Sequence, residues 1–294
     1  MRSDTLLLGV DGGGTHCRAR LCTPSGAKLG EAGAGPANIR LGLETSFAAI
    51  LQATQDCLKQ AGLSPRDLPR ITACLALAGA SEPTDLAAAQ QLKHPFGRAT
   101  ITTDARAACL GAHQGRDGGV VVVGTGTIGW AEHKGRQYRV GGWGLTVSDE
   151  GSGAWLGREL LRRVLWAHDG RIEPSHLIEA AFEQFHGDPH AIVRWASNAS
   201  PRDFGALAPL VVEHALLGDT TGAELMRMAA SHIDSLAAQL LGLGVDRLAL
   251  VGGLANHMNS WVSDTTKLHL TPPAGDALDG ALQIARTSAE SIAA

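Results

Sequence analysis

Several features that would assign this chain to a common class are missing. None of its 294 residues lies in an apolar run long enough to span a bilayer, and no signal-peptide layout precedes the first apolar stretch, Leu6 to Val10. The formal charge is -4 and there is no basic cluster, which argues against nucleic acid or an anionic membrane as a partner. We therefore expect a cytoplasmic protein that acts on small molecules.

Cysteine chemistry is also sparse. The five cysteines are an odd number with no CxxC pair, so they indicate neither a disulfide framework nor a thiolate metal site. The close pair His186 and His190 is interrupted by Gly187 and Pro189, and we do not expect it to bind zinc. Glycine, in contrast, is plentiful at 37 residues, and a hydrophobic fraction of 44% is typical of a globular protein with a full core.

Strand and helix patterns alternate in the first part of the chain. The strand candidate Leu6 to Val10 leads into the glycine-rich turn Asp11 to Thr15, and a second strand pattern follows at Arg18 to Cys22. After a third strand at 28 to 32, helical and extended patterns alternate until a helix opens at Asp104. This βββαβαβα order predicts a mixed sheet with helices on both faces.

The same order begins again in the middle of the chain. VVVVGTGT can be laid over LLLGVDGGGT so that Gly124 to Thr127 falls on Gly12 to Thr15, and a strand-like segment follows each loop. Such a repeat predicts a duplicated domain.

The domain boundaries follow from this repeat. We predict an N-terminal domain at 1–112 and a C-terminal domain at 113–275, the latter with a helical insertion from about 174 to 218. We expect the last helix, 276–290, to pack back on the N-terminal domain.

Both glycine loops can hold phosphate. Glycines let the backbone approach a ligand so that successive N–H groups point at phosphate oxygens, and threonine hydroxyls add donors. One loop alone is explained by a hairpin turn, whereas two in register predict a clamp for one polyphosphate. Asp11, at the end of a strand, is a candidate ligand of Mg²⁺, directly or through water. The predicted nucleotide-binding residues are Asp11, Gly12, Gly13, Gly14, Thr15, Gly124, Thr125, Gly126 and Thr127.

The second loop has a rival interpretation. Gly124 to Gly129 fits the dinucleotide pattern GxGxxG, which requires the third glycine to open a helix. The next residues, Trp130 to Tyr138, contain Gly135 and are typical of a hairpin. A Rossmann dehydrogenase is therefore a minority alternative.

Four motifs carry a family resemblance: GVDGGGT (9–15), VVGTGTIG (122–129), GGWGLTVSDEGSG (141–153) and LVGGLA (250–255). On these motifs the chain resembles the sugar kinase/Hsp70/actin superfamily, specifically the N-acetylglucosamine kinase and BadF/BadG-type ATPase branch. Shorter segments, LALAGA, HPF, ACLGAH and PRDFG, look most like bacterial glucosamine kinases. The resemblance implies an α/β fold of two RNase H-like (actin-like ATPase) domains, each a mixed five-stranded sheet with flanking helices, and a cleft between them.

The resemblance also implies an activity. It is transfer of the ATP γ-phosphate, with Mg²⁺, to the 6-hydroxyl of an amino sugar, D-glucosamine first and N-acetylglucosamine or a related N-acyl amino sugar as the alternative. A homodimer is expected by family. Remoter alternatives are the activator ATPase of a radical dehydratase, which needs cysteines for an iron–sulfur cluster, and a non-catalytic sugar sensor, which would lose Asp11 or Asp104.

Residue roles follow where the motifs match. Asp104 falls at the position of the catalytic base and also of a sugar contact, although helix N-cap is an equally ordinary role for it. Gly252 and Gly253 match the adenosine motif, and their ordinary role is a strand-to-helix turn. The other sugar-contacting candidates are Asn38, Gly141, Gly142, Trp143 and Asp149.

Two of these candidates have plain alternatives, since Asn38 could be a turn residue and Trp143 a core aromatic. The form GWG is typical of N-acetylglucosamine kinases, whereas other segments favour glucosamine kinases, so the acyl preference stays open. Any of Asp149, Glu150 and Glu82 could face a 2-amino group.

Overall fold

The computed structural model describes residues 5–291, which fold as two compact units. The first unit contains the chain up to Gly118, the segment Ala131–Arg136 and the chain from Pro272 onward. The second contains Gly119–Trp130 and Gln137–Thr271.

The first unit begins with a series of strands and helices in the predicted order. They are β1 (Leu6–Gly12), β2 (Cys17–Cys22), β3 (Lys28–Ala34), α1 (Leu43–Gln60), β4 (Ile71–Leu77), α2 (Pro83–Gln90), β5 (Arg98–Thr103) and α3 (Asp104–His113). The remaining elements, from the boundary onward, are β6 (Gly118–Val123), β7 (Thr127–His133), β8 (Arg136–Gly141), α4 (Gly153–His168), α5 (His176–Glu183), α6 (Pro189–Ala196), α7 (Pro201–Gly205), α8 (Ala208–Leu216), α9 (Thr220–Gly242), β9 (Leu248–Val251), α10 (Ala255–Met258), α11 (Asp264–His269) and α12 (Ala277–Glu290).

The sheet of the first unit has the order β3-β2-β1-β4-β5. β1 pairs antiparallel with β2, and β2 with β3, whereas β4 is parallel to both β1 and β5. Leu6, Leu8 and Val10 pack in the core cluster that includes α1, while Leu7 points to the opposite face. Because β1 is buried on both faces, its sequence is a continuous apolar run rather than an alternating one.

Helices α3 and α12 cover that opposite face at very short range. A Cβ at Gly111 would lie 1.8 Å from the Asp276 carbonyl oxygen, and one at Gly280 would lie 1.9 Å from that of Ala107. Only glycine fits at these crossings. The C-terminal helix is therefore part of the first unit.

The parallel strands set the position of the polar residues in this unit. β1, β4 and β5 run in the same direction, so their carboxyl ends meet at one edge of the sheet. Asp11 lies at the end of β1, and Asp104 directly follows β5.

The sheet of the second unit has the order β8-β7-β6-β9, with β6 parallel to β9. Five strands were predicted here, and four are present within residues 5–291. The fifth position is a single parallel bridge between Leu248 and Leu270. Pro272 and Pro273 follow that bridge, and proline cannot donate to a strand ladder, so the pairing ends there.

Helices α4 and α9 are the longest helices of the second unit, and α5 to α8 lie within the predicted insertion. No helix of residues 5–291 has the length and hydrophobicity needed to cross a membrane. All five cysteines are buried, free thiols.

Candidate functional site

The loop between β1 and β2 is a tight glycine turn with available donors. The Gly13 N–H donates to the His16 carbonyl at 3.0 Å, and the Gly13 carbonyl accepts from the Ala37 N–H at 3.1 Å. The N–H groups of Gly14 and Thr15 have no acceptor among residues 5–291. Successive backbone N–H groups of this kind can bind the oxygens of a phosphate.

Asp11 is held in an ion-pair network at the end of β1. Arg18 Nη2 lies 2.8 Å from Asp11 Oδ2, and Arg18 Nη1 lies 3.0 Å from Asp276 Oδ2. The Asp276 side chain also accepts from the Asp279 N–H and so caps α12. Hydrogen bonds and nearby arginines lower the pKa of Asp276 despite the opposing effect of its burial. Arg18 therefore links the N-cap of α12, Asp276, to the Asp11 carboxylate.

Asp104 is the first residue of α3, and Thr103 is its N-cap. The Thr103 hydroxyl accepts from the Arg106 N–H at 3.1 Å, while Asp104 Oδ1 accepts from the Ala105 N–H at 2.8 Å. The capping role considered for Asp104 therefore belongs to its neighbour. Desolvation raises the pKa of Asp104 to about 6, and the negative charge of Asp11 adds to the rise. A carboxylate with a pKa near neutrality is suited to accept a proton.

Asn38 has both a structural role and a free donor. Its Oδ1 accepts from the Arg40 N–H at 3.0 Å and caps a short 3-10 helix, as expected of a turn residue. Its Nδ2 lies 3.8 Å from the position of a Cβ on Gly14 and has no acceptor among residues 5–291. The first unit thus brings together the β1–β2 loop, Asn38, Asp11 and Asp104.

The loop between β6 and β7 has its own pattern of hydrogen bonds. The Gly124 N–H donates to the Gly126 carbonyl at 3.0 Å, and the N–H groups of Thr125 and Gly126 have no acceptor within the described chain. The first amides of α4 bond to the loop, Gly153 to the Gly124 carbonyl at 2.8 Å and Ala154 to the Thr125 carbonyl at 3.1 Å. These two bonds fix the loop against the N-terminus of α4.

The third glycine of GxGxxG settles the rival interpretation. Gly129 lies inside strand β7, and no helix begins there. A dinucleotide site requires that helix. The Rossmann alternative is therefore wrong.

Gly252 and Gly253 lie beside the second loop. Gly252 has φ +102°, and a Cβ there would lie 2.5 Å from the Val123 carbonyl oxygen. The Leu254 N–H donates to the same oxygen at 3.0 Å. Gly253 is exposed with no atom within 4 Å of its missing Cβ, so its backbone is open to a flat ligand.

The segment after β8 is a loop, residues 141–149, which we call the substrate loop because the sequence analysis placed sugar-contacting candidates on it. Gly141 and Gly142 have φ +69° and +73°, and Trp143 is 57% exposed, so it is not a core aromatic. Asp149 has φ +61°, and its Oδ1 accepts from the Gly144 N–H at 3.0 Å. A Cβ at Gly126 would lie 2.8 Å from Asp149 Oδ2, which places Asp149 against the β6–β7 loop.

A cavity of about 220 Å³ lies behind the substrate loop, with Thr127, Gly141, Gly142 and Glu150 among its lining residues. The Thr127 hydroxyl is a buried polar atom without a hydrogen-bond partner among residues 5–291. Glu150 Oε2 accepts from the Ser148 hydroxyl at 3.2 Å. The cavity wall therefore carries the Glu150 carboxylate and a buried Thr127 hydroxyl without a partner in the described chain.

Two arginines near these residues were missed by the sequence analysis. Arg18 contacts Asp11, and Arg139 donates to the carbonyls of Gly141 and Gly142. Their only sequence signal is a position a few residues from a glycine motif, and that is shared by many surface arginines.

Asp11 fits the role of a magnesium ligand in part. Mg²⁺ usually keeps several waters and takes one or two carboxylates plus phosphate oxygens. Within residues 5–291 no group of three or more His, Cys, Asp or Glu side chains forms a metal cage. Asp11 offers one carboxylate for such an ion, while Arg18 competes for its Oδ2.

Comparison with known proteins gives relatives along the whole chain. The glucosamine kinase GspK of Vibrio cholerae is 40% identical over 278 residues, which are 95% of this chain and 95% of that protein. An N-acetylmuramic acid/N-acetylglucosamine kinase of Clostridium acetobutylicum is 26% identical over 97% of this chain and 99% of its own. The crystal structure of a candidate N-acetylglucosamine kinase from Chromobacterium violaceum matches with a TM-score of 0.91 and 34% identity, covering 96% of this chain and 99% of that one.

A sequence family covers most of the chain as well. The pattern of the BadF/BadG/BcrA/BcrD ATPase family matches residues 8–268. This confirms the family predicted from the four motifs. The chain belongs to the BadF/BadG/BcrA/BcrD ATPase family.

Proposed function

We propose that this protein is an ATP-dependent kinase that phosphorylates D-glucosamine to glucosamine 6-phosphate. The observation that carries the proposal is Asp104, a carboxylate with a pKa of about 6 at the same strand edge as a glycine loop with two free N–H donors. A base near neutral pKa beside phosphate donors is the arrangement that phosphoryl transfer to a hydroxyl needs.

The nucleotide residues would act through their backbone. Gly14 and Thr15 in the first unit, and Thr125 and Gly126 in the second, each offer two adjacent N–H groups to phosphate oxygens. Gly252 and Gly253 would lie under adenine or ribose. Asp11 would hold Mg²⁺, directly or through water, and the ion would supply neutralisation of the phosphate charge.

Asp104 would act on the substrate hydroxyl. Its carboxylate accepts the hydroxyl proton as the oxygen–phosphorus bond forms, the bond from the γ-phosphorus to the bridging oxygen breaks, and ADP leaves. Asn38 has a free amide nitrogen close to Gly14 and would donate to a sugar hydroxyl. Asp149 and the substrate loop would contact the rest of the sugar.

The choice of glucosamine is supported by the relative that is 40% identical. The cavity behind the substrate loop adds a chemical argument, because Glu150 is the carboxylate in its wall and a free 2-amino group is cationic at neutral pH. N-acetylglucosamine is the second candidate, since the structural relative at 34% identity carries that activity in its name and Trp143 is exposed as a platform for an acyl group.

Two other classes fit less well. An activator of a radical dehydratase needs cysteines free to hold an iron–sulfur cluster, and all five here are buried, with desolvation raising the thiol pKa of Cys17, Cys74 and Cys109 to about 12. A non-catalytic sensor would lack the base or the metal ligand, and this chain has both Asp104 and Asp11.

The test is a coupled ADP-release assay with Mg²⁺ and ATP over glucosamine, N-acetylglucosamine, N-acetylmannosamine, glucose and a muramic-type sugar. We expect ADP only when a sugar is present, with the highest kcat/KM for glucosamine and a 6-phosphate as product. Turnover on N-acetylglucosamine but not on glucosamine would make N-acetylglucosamine the substrate. Inactivity on every amino sugar would overturn the proposal. We also propose a homodimer, to be measured by light scattering.

A further inference from the structure

Arg139, at the end of β8, is bound to the backbone of the substrate loop. Its Nε donates to the Gly141 carbonyl at 3.0 Å, and its Nη2 donates to the Gly142 carbonyl at 2.6 Å. Two bonds from one planar guanidinium fix the orientation of both peptide groups.

The same guanidinium also covers one face of Trp143. The Arg139 Cζ lies 3.9 Å from the centre of the Trp143 ring, well within the range of a cation–π contact. Trp143 is nevertheless 57% exposed. Arg139 thus supports the indole from one side and leaves much of the ring open.

A loop of this composition needs such an anchor. Gly141 and Gly142 both have positive φ, which glycine adopts at little steric cost but at a high entropic cost when fixed. A Cβ at Gly142 would lie 2.8 Å from Ile128, so the loop cannot be stiffened by a larger residue at that position. The order must come from contacts outside the glycines.

Asp149 holds the far side of the same loop through the Gly144 N–H. A cation therefore binds the carbonyls at the start of the loop, and an anion binds an amide a few residues later. Each group has the charge that its backbone partners favour.

We infer that Arg139 is a positioning residue for the sugar substrate: it holds the Gly141–Trp143 segment in a preformed shape and presents the open part of the Trp143 ring to an apolar face of the sugar. The inference rests on the proposed function, because it takes the substrate loop as a wall of the sugar site. Preorganisation of this kind acts on substrate binding by removing the cost of ordering the loop.

The experiment compares Arg139→Ala and Arg139→Lys with Arg136→Ala, an exposed arginine at the start of the same strand. We expect Arg139→Ala to raise the KM for the amino sugar by roughly ten- to a hundredfold, with the KM for ATP and kcat within about threefold of wild type. Arg139→Lys keeps the charge but loses the planar guanidinium group, so its KM for the amino sugar should lie between that of wild type and that of Arg139→Ala.

Two further measurements separate positioning from a general structural role. Guanidinium at a low, non-denaturing concentration should lower the sugar KM of Arg139→Ala and leave that of Arg136→Ala unchanged. In a Trp143→Ala background, Arg139→Ala should add much less than it does alone, because both changes act on one loop.

Hydrogen exchange distinguishes the failure of this inference from that of the proposed function. In the ligand-free protein, amides of residues 141–148 should exchange faster in Arg139→Ala than in wild type or Arg136→Ala. Unchanged exchange, or equal rises in the KM for ATP and for sugar, would overturn the positioning role. A wild-type protein inactive on every amino sugar but with faster loop exchange in Arg139→Ala would instead overturn the proposed function and retain only the ordering of the loop by Arg139.

Discussion

The glycine loops after β1 and β6 share a backbone plan. In each, an early glycine N–H bonds to a carbonyl of the same turn, Gly13 to His16 and Gly124 to Gly126, although these two glycines lie one position apart when the loops are aligned. Each also leaves two consecutive N–H groups without an acceptor among residues 5–291. The repeated feature is thus a pair of free donors for an anion.

The side chains around the two loops differ. The first loop follows Asp11, which is paired with Arg18, whereas the corresponding residue before the second loop is the fully buried Val123. The carbonyls of the second loop instead receive the first amides of α4. We propose that both loops hold phosphate. The proposed metal ligand Asp11 and the proposed base Asp104 both lie in the first unit.

The largest loss of activity is expected from substitution of Asp104, the proposed base in the first unit. Asp104→Asn removes the proton acceptor and should lower kcat by roughly 10²–10⁴-fold. ATP affinity, measured by calorimetry, should stay within about threefold of wild type because the loop donors are untouched. Lost ATP binding would show instead that this residue serves the nucleotide.

Substitution of Asp11 tests the difference between the end of β1, which carries Asp11, and the end of β6, which carries Val123. Asp11→Asn should lower turnover by roughly 10²-fold, because charge stabilisation in the transition state is lost. The Mg²⁺ concentration needed for half-maximal rate should also rise. Asp169→Asn, at an exposed carboxylate of the second unit, is the matched control. An unchanged Mg²⁺ requirement in Asp11→Asn would contradict the metal role.

The pH profile tests the same base without a mutation. Burial raises the pKa of Asp104 from 3.8 to about 6, so the folded protein keeps this proton to a higher pH than the unfolded chain does. The base form is present above pH 6 and lost below it. We expect kcat/KM to fall about tenfold per pH unit in the acid limb, and a limb centred near 4 would be evidence against this assignment.

The smallest effects are expected when the glycine at the same position of each loop, Gly126 or Gly14, is replaced by alanine. Gly126→Ala places a Cβ 2.8 Å from Asp149 Oδ2 and should raise the sugar KM about tenfold by displacing that carboxylate. Gly14→Ala meets nothing nearer than Asn38 Nδ2 at 3.8 Å, so its kinetic constants should change less than about threefold. Equal effects at both glycines would mean that the loops have equivalent neighbours after all.

Much of this protein could be predicted from its sequence. The comparisons confirm the family, the fold class and the enzyme class, an ATP-dependent sugar kinase. The predicted strand and helix order of the first unit is also present. These features depend on local chemistry, since glycine-rich turns, apolar strands and helix periodicity each leave a pattern in neighbouring residues.

Other expectations needed the tertiary structure to correct them. Thr103 rather than Asp104 caps α3, because the two candidate caps are adjacent and only the hydrogen bonds distinguish them. The second sheet has four strands within residues 5–291, since Leu270 makes one bridge before Pro272 and Pro273. Neither the identity of the N-cap nor the number of strands in the sheet leaves a periodic pattern in the sequence.

The sequence by itself determined the pair of glycine loops and Asp11 as a candidate metal ligand, because residue type and spacing carry that information. It determined Asp104 as a candidate base through the family resemblance. Only the tertiary structure decided that Arg18 reaches Asp11, that Arg139 supports Trp143 and that the charge of Asp11 contributes to the raised pKa of Asp104. Arg18 and Asp11 lie on neighbouring strands, and Arg139 and Trp143 lie on a strand and the loop after it. The energies of such contacts depend on distance and burial, which no spacing in the sequence specifies.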